Sequence, residues 1–117
     1  MNKILEEALL YDFYGELLTE RRRNIYEAVR FGDLSLAEAA EEYGISRQGI
    51  HDILHRADEA LHEYEAKLGL VERFMETRRA GERILALCRG FRETRDDAIL
   101  TQIEELARHL KEEENTQ

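Results

Sequence analysis

An all-α fold is predicted by three features of this 117-residue sequence. It contains no proline, the residue that most disfavours helix interiors. Charged residues make up 37% of the chain. Between them, apolar residues recur at three- and four-residue spacing, which is typical of helices with one buried face. At this length we expect a helical domain over residues 1–60 and a C-terminal helical extension over residues 61–117, either in the same compact unit or serving dimerisation.

Two helices are predicted at the start of the chain. The first runs from Lys3 to Leu17, and the second from Glu20 to Phe31 with Thr19 as its N-cap. Gly32 and Asp33 then interrupt the helical pattern. The spacing predicts that the buried face of the first helix is formed by Ile4, Leu5, Ala8, Leu9, Phe13 and Leu17.

Residues 35–56 have the pattern of a helix-turn-helix. Ser35 and Glu38 have the spacing of a capping box at the start of a helix over Leu36 to Tyr43. Gly44 suits a turn that needs a positive φ, and Ser46 can cap a following helix that begins at Arg47. We predict that the two helices cross closely at small side chains, those of Ala39 and Ala40.

The second helix of such a motif lies in the major groove of DNA. Arg47 and Gln48 can make bidentate hydrogen bonds to guanine and adenine edges, and Arg22 and Arg23 of the preceding helix are candidates for phosphate contacts. The alternative is that these are solvated polar residues of a motif that binds protein. The predicted nucleic-acid face lies opposite the apolar one and consists of Ser46, Arg47, Gln48, His51, Asp52, His55 and Arg56.

The net charge argues against tight binding to nucleic acid. The chain carries 17 basic and 26 acidic residues, a formal charge of −9, whereas phosphate neutralisation supplies much of the affinity of DNA-binding proteins. We therefore expect modest, salt-sensitive binding to DNA or structured RNA. The C-terminal third could add a phosphate-binding patch or form ordinary salt-bridged helix faces, because acidic residues alternate with Arg78, Arg79, Arg83, Arg89, Arg92 and Arg95.

The fourth helix has no obvious end in the sequence. Apolar residues recur every three to four positions from Ile50 to Met75, so the helix could continue to about Thr77, although Gly69 allows a kink or break. So long an apolar seam needs a cover, either the C-terminal helices or a second chain. We predict a symmetric homodimer whose seam consists of Leu61, Tyr64, Leu68, Val71 and Met75.

Two more helices are predicted after this seam. One covers Arg78 to Arg89 and ends at Gly90, and the other runs from Asp96 to about Glu112 with Thr94 as its cap. Cys88 is interpreted as a small core residue of the first.

Other classes of function find little support. No apolar stretch is long enough to span a membrane, and neither a signal peptide nor a pair of cysteines is present, so we expect a cytoplasmic protein. His51 and His55 have metal-ligand spacing, but one helix face seldom completes a site. Because no nucleophile motif or phosphate loop is found, we expect no metal, no cofactor and no enzyme activity.

Taken together, four segments of the sequence resemble the YlxM family of small bacterial proteins, and the resemblance covers almost all of the chain. The four segments are Phe13–Thr19, Ser35–Ala40, Gly44–Gln48 and Tyr64–Leu68. The resemblance implies a helix-turn-helix like region 4 of bacterial sigma factors. The chain has no segment that could serve as a sigma factor's promoter-melting domain, so a sigma factor is not expected.

The resemblance also implies a cellular context. Members of the family are encoded beside the protein component of the signal recognition particle and are thought to act in that targeting pathway. Two functions follow as expectations. The first is a regulatory protein that binds nucleic acid through the helix-turn-helix, and the second is a protein-interaction module that binds the particle's protein subunit or its RNA.

Overall fold

The computed structural model describes residues 2–115, which contain six α-helices and no strand. The all-α prediction is therefore confirmed. The chain divides into two compact units, Met1–Val71 and Glu72–Gln117. The helices are α1 (Lys3–Tyr14), α2 (Glu20–Tyr26), α3 (Leu36–Tyr43), α4 (Arg47–Leu68), α5 (Leu70–Thr94) and α6 (Asp97–Asn115).

The N-terminal unit is organised around α4, which packs against α1, α2 and α3. Its largest fully buried side chains are those of Tyr14, Ile25, Tyr26, Ile50 and Leu61. The predicted buried face of the first helix is wrong in part, because four of its members are exposed, namely Ile4, Leu5, Phe13 and Leu17.

The face of α1 that is buried instead carries Leu10 and Tyr14. The spacing of apolar residues could not identify this face, because α1 is apolar on two sides. Tyr14 was also not expected in the core, although tyrosine can bury its ring when its hydroxyl has a hydrogen-bond partner.

Both helices before the motif end in altered turns. After α1, the segment Gly15–Leu17 forms a 3-10 turn, and Gly15 lies so close to the Tyr11 ring that a Cβ there would approach ring carbons to 2.9 Å. After α2, the segment Glu27–Phe31 winds as a π-helix, in which the amide of Gly32 donates to the carbonyl of Glu27 at 2.9 Å.

The predicted caps of the helix-turn-helix are present. Ser35 Oγ accepts from the amide of Glu38 at 3.0 Å, and Glu38 Oε1 accepts from the amide of Ser35 at 3.1 Å. Gly44 ends α3 at a φ of 69°, and Ser46 Oγ accepts from the amide of Gly49 at 2.9 Å. The two alanines predicted at the close helix crossing differ in burial. Ala39 is fully buried, whereas Ala40 is only half-buried.

Of the two possibilities left open by the sequence, a helix continuous to about Thr77 and a break at Gly69, the structure has the break, because α4 ends at Leu68. Gly69 adopts a φ of 64°, and its amide donates to the carbonyl of Glu65 at 2.8 Å. The next helix starts at once with Leu70 and passes through Gly90, where a fifth helix was expected to end. A glycine inside a helix costs only about 1 kcal/mol, so it does not by itself end one.

The break at Gly69 divides the predicted dimer seam between two helices. Leu61, Tyr64 and Leu68 lie on α4, whereas Val71 and Met75 lie on α5. Leu61 and Val71 are already buried in a single copy, while Leu68 is half exposed to solvent. A dimer through this seam stays a prediction.

The C-terminal unit contains α6 and nearly all of α5, joined by Arg95 and Asp96. Arg95 adopts a φ of 58°, and its guanidinium lies 5.8 Å from the centre of the Phe91 ring. Asp96 Oδ1 accepts from the amide of Ala98 at 2.9 Å, so Asp96 caps α6 in place of the predicted Thr94. Among the described residues, no helix is long and apolar enough to cross a membrane.

Candidate nucleic-acid interface

The first three turns of α4 present a continuous polar face to solvent. Ile50 and Leu54 anchor the opposite face in the core of the N-terminal unit, with relative exposures of 0% and 4%. This amphipathic pattern fixes the rotation of the helix about its axis. The structure therefore exposes all seven side chains predicted on α4, namely Ser46, Arg47, Gln48, His51, Asp52, His55 and Arg56.

Carboxylates hold several of these polar side chains. Gln48 Nε2 donates to Asp52 Oδ1 at 3.0 Å, and His51 Nδ1 lies 3.8 Å from the same oxygen. His55 Nε2 lies 3.2 Å from Glu59 Oε1. The groups that could recognise base edges are thus partly occupied in the free protein.

The two arginines of this face differ from the histidines and the glutamine. Among residues 2–112, whose side chains the structure describes, no carboxylate lies within salt-bridge distance of Arg47 or Arg56. Both guanidinium groups are exposed, and an arginine fork can bind phosphate or guanine without first breaking an ion pair.

The arginines predicted on the second helix have a different environment. Arg22 and Arg23 are half-buried. Arg23 lines a cleft of about 370 Å³ between α1 and α2, together with Tyr11, Asp12, Gly15, Glu16, Asn24 and Glu27. Since no α4 side chain lines this cleft and three of its side chains are acidic, the structure does not bring Arg23 onto the α4 face. A phosphate contact by Arg22 stays a prediction.

Arg30 is the arginine that the fold brings to α4. Its Nη2 lies 2.9 Å from Asp58 Oδ2, and its guanidinium lies 5.8 Å from the centre of the Tyr26 ring. Burial, together with the charge and hydrogen bond of Asp58, raises the pKa of Tyr26, which stays neutral. The i, i+4 spacing of Tyr26 and Arg30 could have indicated their contact. The pairing with Asp58 could not be found in this way, because 28 positions separate the two residues.

A groove of about 430 Å³ runs beside the polar face of α4. Arg30 and Asp58 form part of its wall, and His51 and His55 border it from the recognition side. Four of the nine residues that line it are apolar. The complete lining is Val29, Arg30, Leu34, Ser35, Leu36, His51, Leu54, His55 and Asp58.

Helix α3, one of the helices that pack against α4, is acidic. In α3, Glu38, Glu41 and Glu42 are accompanied by no lysine or arginine, and all three are exposed. Hydrogen bonds from the backbone and hydroxyl of Ser35 lower the pKa of Glu38, so it carries its charge at neutral pH. A polyanion that approaches α4 therefore meets repulsion from α3.

Within the described residues, no group of three or more histidine, cysteine, aspartate or glutamate side chains is arranged to hold a metal ion. His51 and His55 each lie beside a single carboxylate instead. The chemistry that this surface offers is hydrogen bonding and charge.

Comparison with known proteins agrees with the helix-turn-helix of this fold. A family model described as "UPF0122: Putative helix-turn-helix protein, YlxM / p13 like" matches residues 1–89. A UPF0122 protein of Thermoanaerobacter sp. is 47% identical over 105 residues, which cover 89% of this chain and 90% of the relative. The family resemblance predicted from the sequence is therefore confirmed.

Two further relatives have the same description. A UPF0122 protein of Desulforamulus reducens is 46% identical over 83 residues, 71% of each chain. Another, of Caldanaerobacter subterraneus, is 50% identical over 76 residues, 65% of each chain. The family description names a helix-turn-helix and no enzyme activity.

Proposed function

Because the chain belongs to the UPF0122 family of YlxM/p13-like helix-turn-helix proteins, we propose that it binds duplex DNA through the polar face of α4. In this function it is a non-enzymatic regulatory protein. The observation that carries the proposal is the exposure of Arg47 at the start of α4, without a carboxylate partner among the described residues. The N-terminal residues of a recognition helix are the ones that reach base edges.

The contacts divide into two kinds. Arg47 binds guanine O6 and N7, and Gln48 binds adenine N6 and N7 after it releases Asp52. Arg56 lies more than two turns farther along α4 and contacts phosphate, which positions the helix without specifying a sequence.

The acidic surroundings set the strength of this binding. With a net charge of −9 and three exposed glutamates on α3, long-range attraction to DNA is weak. Affinity then depends on a few short contacts, and it decreases steeply as salt displaces them. Asp52 is the acidic residue that accepts a hydrogen bond from Gln48, one of the two side chains proposed to contact bases.

The test is a titration of duplex DNA with wild-type protein and with Asp52→Asn at two salt concentrations. Removing this carboxylate lowers repulsion and frees Gln48, so we expect several-fold tighter binding. Glu63→Gln is the matched control, because it makes the same charge change about 16 Å farther along α4. No measurable DNA affinity in either protein, even at low salt, would contradict the proposal.

A second candidate is a protein-interaction module. It is supported by the groove beside α4, whose apolar lining residues could contact a side chain of a partner, and by the acidic surface of α3. Both features suit a basic protein. The family resemblance makes the protein subunit of the signal recognition particle, or its RNA, the first partner to test. Either function would be exercised in the cytoplasm.

The same variant separates the two candidates. For a basic protein partner, Asp52→Asn removes an attractive charge and is expected to weaken binding, whereas it strengthens binding to DNA. Glu41→Gln in α3 is likewise expected to weaken binding to a basic protein, but not binding to DNA. If the particle's protein subunit binds and duplex DNA does not, the second candidate replaces the first.

A further inference from the structure

The α5–α6 hairpin leaves large apolar side chains on its surface. Leu85 is 62% exposed and Leu100 is 41% exposed. In the C-terminal unit, Leu87 is the buried apolar side chain among the described residues. Two helices that bury so little gain stability when a further surface covers them, and units of this size are commonly stabilised by oligomerisation.

One side of α5 combines this exposed leucine with positive charge. Helical periodicity places Phe74, Arg78, Leu85, Arg89 and Arg92 on the same side, and we call this set the α5 stripe. None of its five members is acidic, but the exposed Glu82, four positions after Arg78 and three before Leu85, lies on the same side and borders the stripe. The Arg78 guanidinium lies 5.8 Å from the centre of the Phe74 ring.

The outer side of α6 has the complementary pattern. Asp97, Leu100 and Glu104 follow each other at spacings of three and four, so one exposed leucine lies between two carboxylates. Glu104 also lies 3.5 Å from Arg108 of its own helix, in an exposed pair. A partner for the α5 stripe must supply both apolar area and negative charge, and this side of α6 offers both.

The register of the hairpin is visible within one chain. A Cβ at Gly90 would lie 3.7 Å from Ile99 Cδ1, so these two residues are opposite each other. Leu87 and Leu106 line one small cleft farther along the two helices. In this register, Arg92 and Asp97 lie at the same height along the helix axes, and so do Leu85 and Glu104. We call two such residues level with each other.

We propose that a second copy of this chain covers the hairpin, related by a twofold axis parallel to the helices. The α5 helix of each copy then packs antiparallel on α6 of the other, which gives a four-helix bundle. A rotation about such an axis keeps every residue at its level. Arg92 therefore meets Asp97 of the partner subunit. Leu85 meets Glu104 of the partner subunit, and Leu100 of the partner subunit lies about one helical turn farther along α6.

A nucleic acid is the less suitable occupant of this face. Phosphates could satisfy the arginines of the α5 stripe, but they would leave Leu85 and Leu100 without apolar cover. They would also approach Asp97 and Glu104 of the neighbouring helix, which repel them. A second copy satisfies the charges and buries the leucines in the same contact.

The test is sedimentation of the full-length protein at tens of micromolar, without nucleic acid, so that the result does not depend on the proposed DNA binding. We expect the wild type to sediment as a dimer and Leu85→Asp to sediment as a monomer. Leu85 is exposed in a single copy, so this substitution is not expected to unfold the hairpin, and circular dichroism checks this. Leu17→Asp is the control, since Leu17 is 55% exposed but lies in the N-terminal unit.

A charge exchange tests the register. Arg92→Asp or Asp97→Arg alone places like charges together twice in the symmetric dimer and is expected to weaken it about tenfold. The two substitutions combined restore opposite charges and are expected to restore the dimer. A wild type that is monomeric overturns the proposal, and so does a dimer that Leu85→Asp leaves intact. A monomer whose affinity for RNA is lost in Arg89→Ala would assign the α5 stripe to nucleic acid instead.

Discussion

The hydroxyl of Tyr14 and the carboxylate of Glu65, 51 positions apart in the sequence, together close the gap between α4 and α5. Tyr14 donates to Glu65 Oε1 at 2.6 Å. The same Oε1 accepts from the amide of Val71 at 2.9 Å, and the Tyr14 hydroxyl accepts from the amide of Leu70 at 3.1 Å. Two amides at the start of α5, which no helix carbonyl can satisfy, are thereby paired. We refer to this arrangement as the Tyr14–Glu65 cap.

The Tyr14–Glu65 cap is expected to contribute measurably to stability. Tyr14→Phe removes the hydroxyl and leaves the Leu70 amide without this partner, and Glu65→Ala does the same for Val71. Each change is expected to cost about 1–3 kcal/mol of unfolding free energy, because a part-buried donor loses its acceptor. Urea denaturation followed by circular dichroism measures this free energy.

The two substitutions are also expected to be strongly non-additive. Since Tyr14 and Glu65 bond to each other, the double variant should lose less than the sum of the single losses. Tyr43→Phe, at the end of α3, is the control for loss of a phenol. If Tyr14→Phe costs no more than this control, the cap is not a stabilising contact.

The pKa of Tyr14 predicts a loss of stability in alkali. Burial, followed by the hydrogen bond to Glu65, raises its pKa above the ordinary value of 10.0. Because the folded state disfavours tyrosinate, the contribution is complete below about pH 10 and is lost as pH rises through the raised pKa. Tyr14→Phe should therefore show a shallower fall of stability above pH 10 than the wild type. Denaturation at several alkaline pH values tests this, and equal slopes would contradict it.

The crossing of α3 and α4 is expected to depend on one small side chain. Ala39 has a relative exposure of 0%, so Ala39→Leu forces the helices apart and is expected to cost about 1–3 kcal/mol. Ala37→Leu on the exposed side of α3 is the control, with an expected change within about 0.5 kcal/mol. A melting temperature of Ala39→Leu equal to that of the control would show that this crossing tolerates bulk.

The end of α4 is expected to depend on the backbone of Gly69. No described atom lies within 4 Å of where its Cβ would be, but its φ is 64°. Gly69→Ala is therefore expected to destabilise by about 1–2 kcal/mol through backbone strain alone. Gly69→Asn should cost less, since asparagine adopts this conformation more readily. Equal losses in calorimetry would indicate that side-chain space, rather than φ, decides this position.

Sequence recognition by α4 is expected to depend on two adjacent side chains. Arg47→Ala and Gln48→Ala should weaken binding to a preferred duplex more than binding to random duplex, with about 1–3 kcal/mol of discrimination lost for each. Arg56→Ala should weaken both alike, as expected for a phosphate contact. Fluorescence anisotropy with the two duplexes measures this difference. Unchanged affinities in all three variants would remove direct readout by α4.

Local features of the fold could be predicted because their physics is local. The capping box of Ser35 and Glu38, the positive φ of Gly44 and the cap of Ser46 each involve residues within a few positions of one another. Backbone hydrogen bonding and steric limits decide such features before any tertiary contact forms. The polar face of α4 belongs to the same class, since helical periodicity alone separates it from Ile50 and Leu54.

What the sequence by itself determined is therefore the all-α class, the helix-turn-helix and its exposed face. Tertiary contacts decided where α4 ends, because the apolar spacing continues past Gly69 and the Tyr14–Glu65 cap comes from residues 51 positions apart. They also brought Arg30 onto Asp58 while Arg23 lines an acidic cleft, although both arginines lie between Glu20 and Phe31. Periodicity gives the faces of a helix, but which face is covered and by what depends on contacts between residues that are distant in the chain.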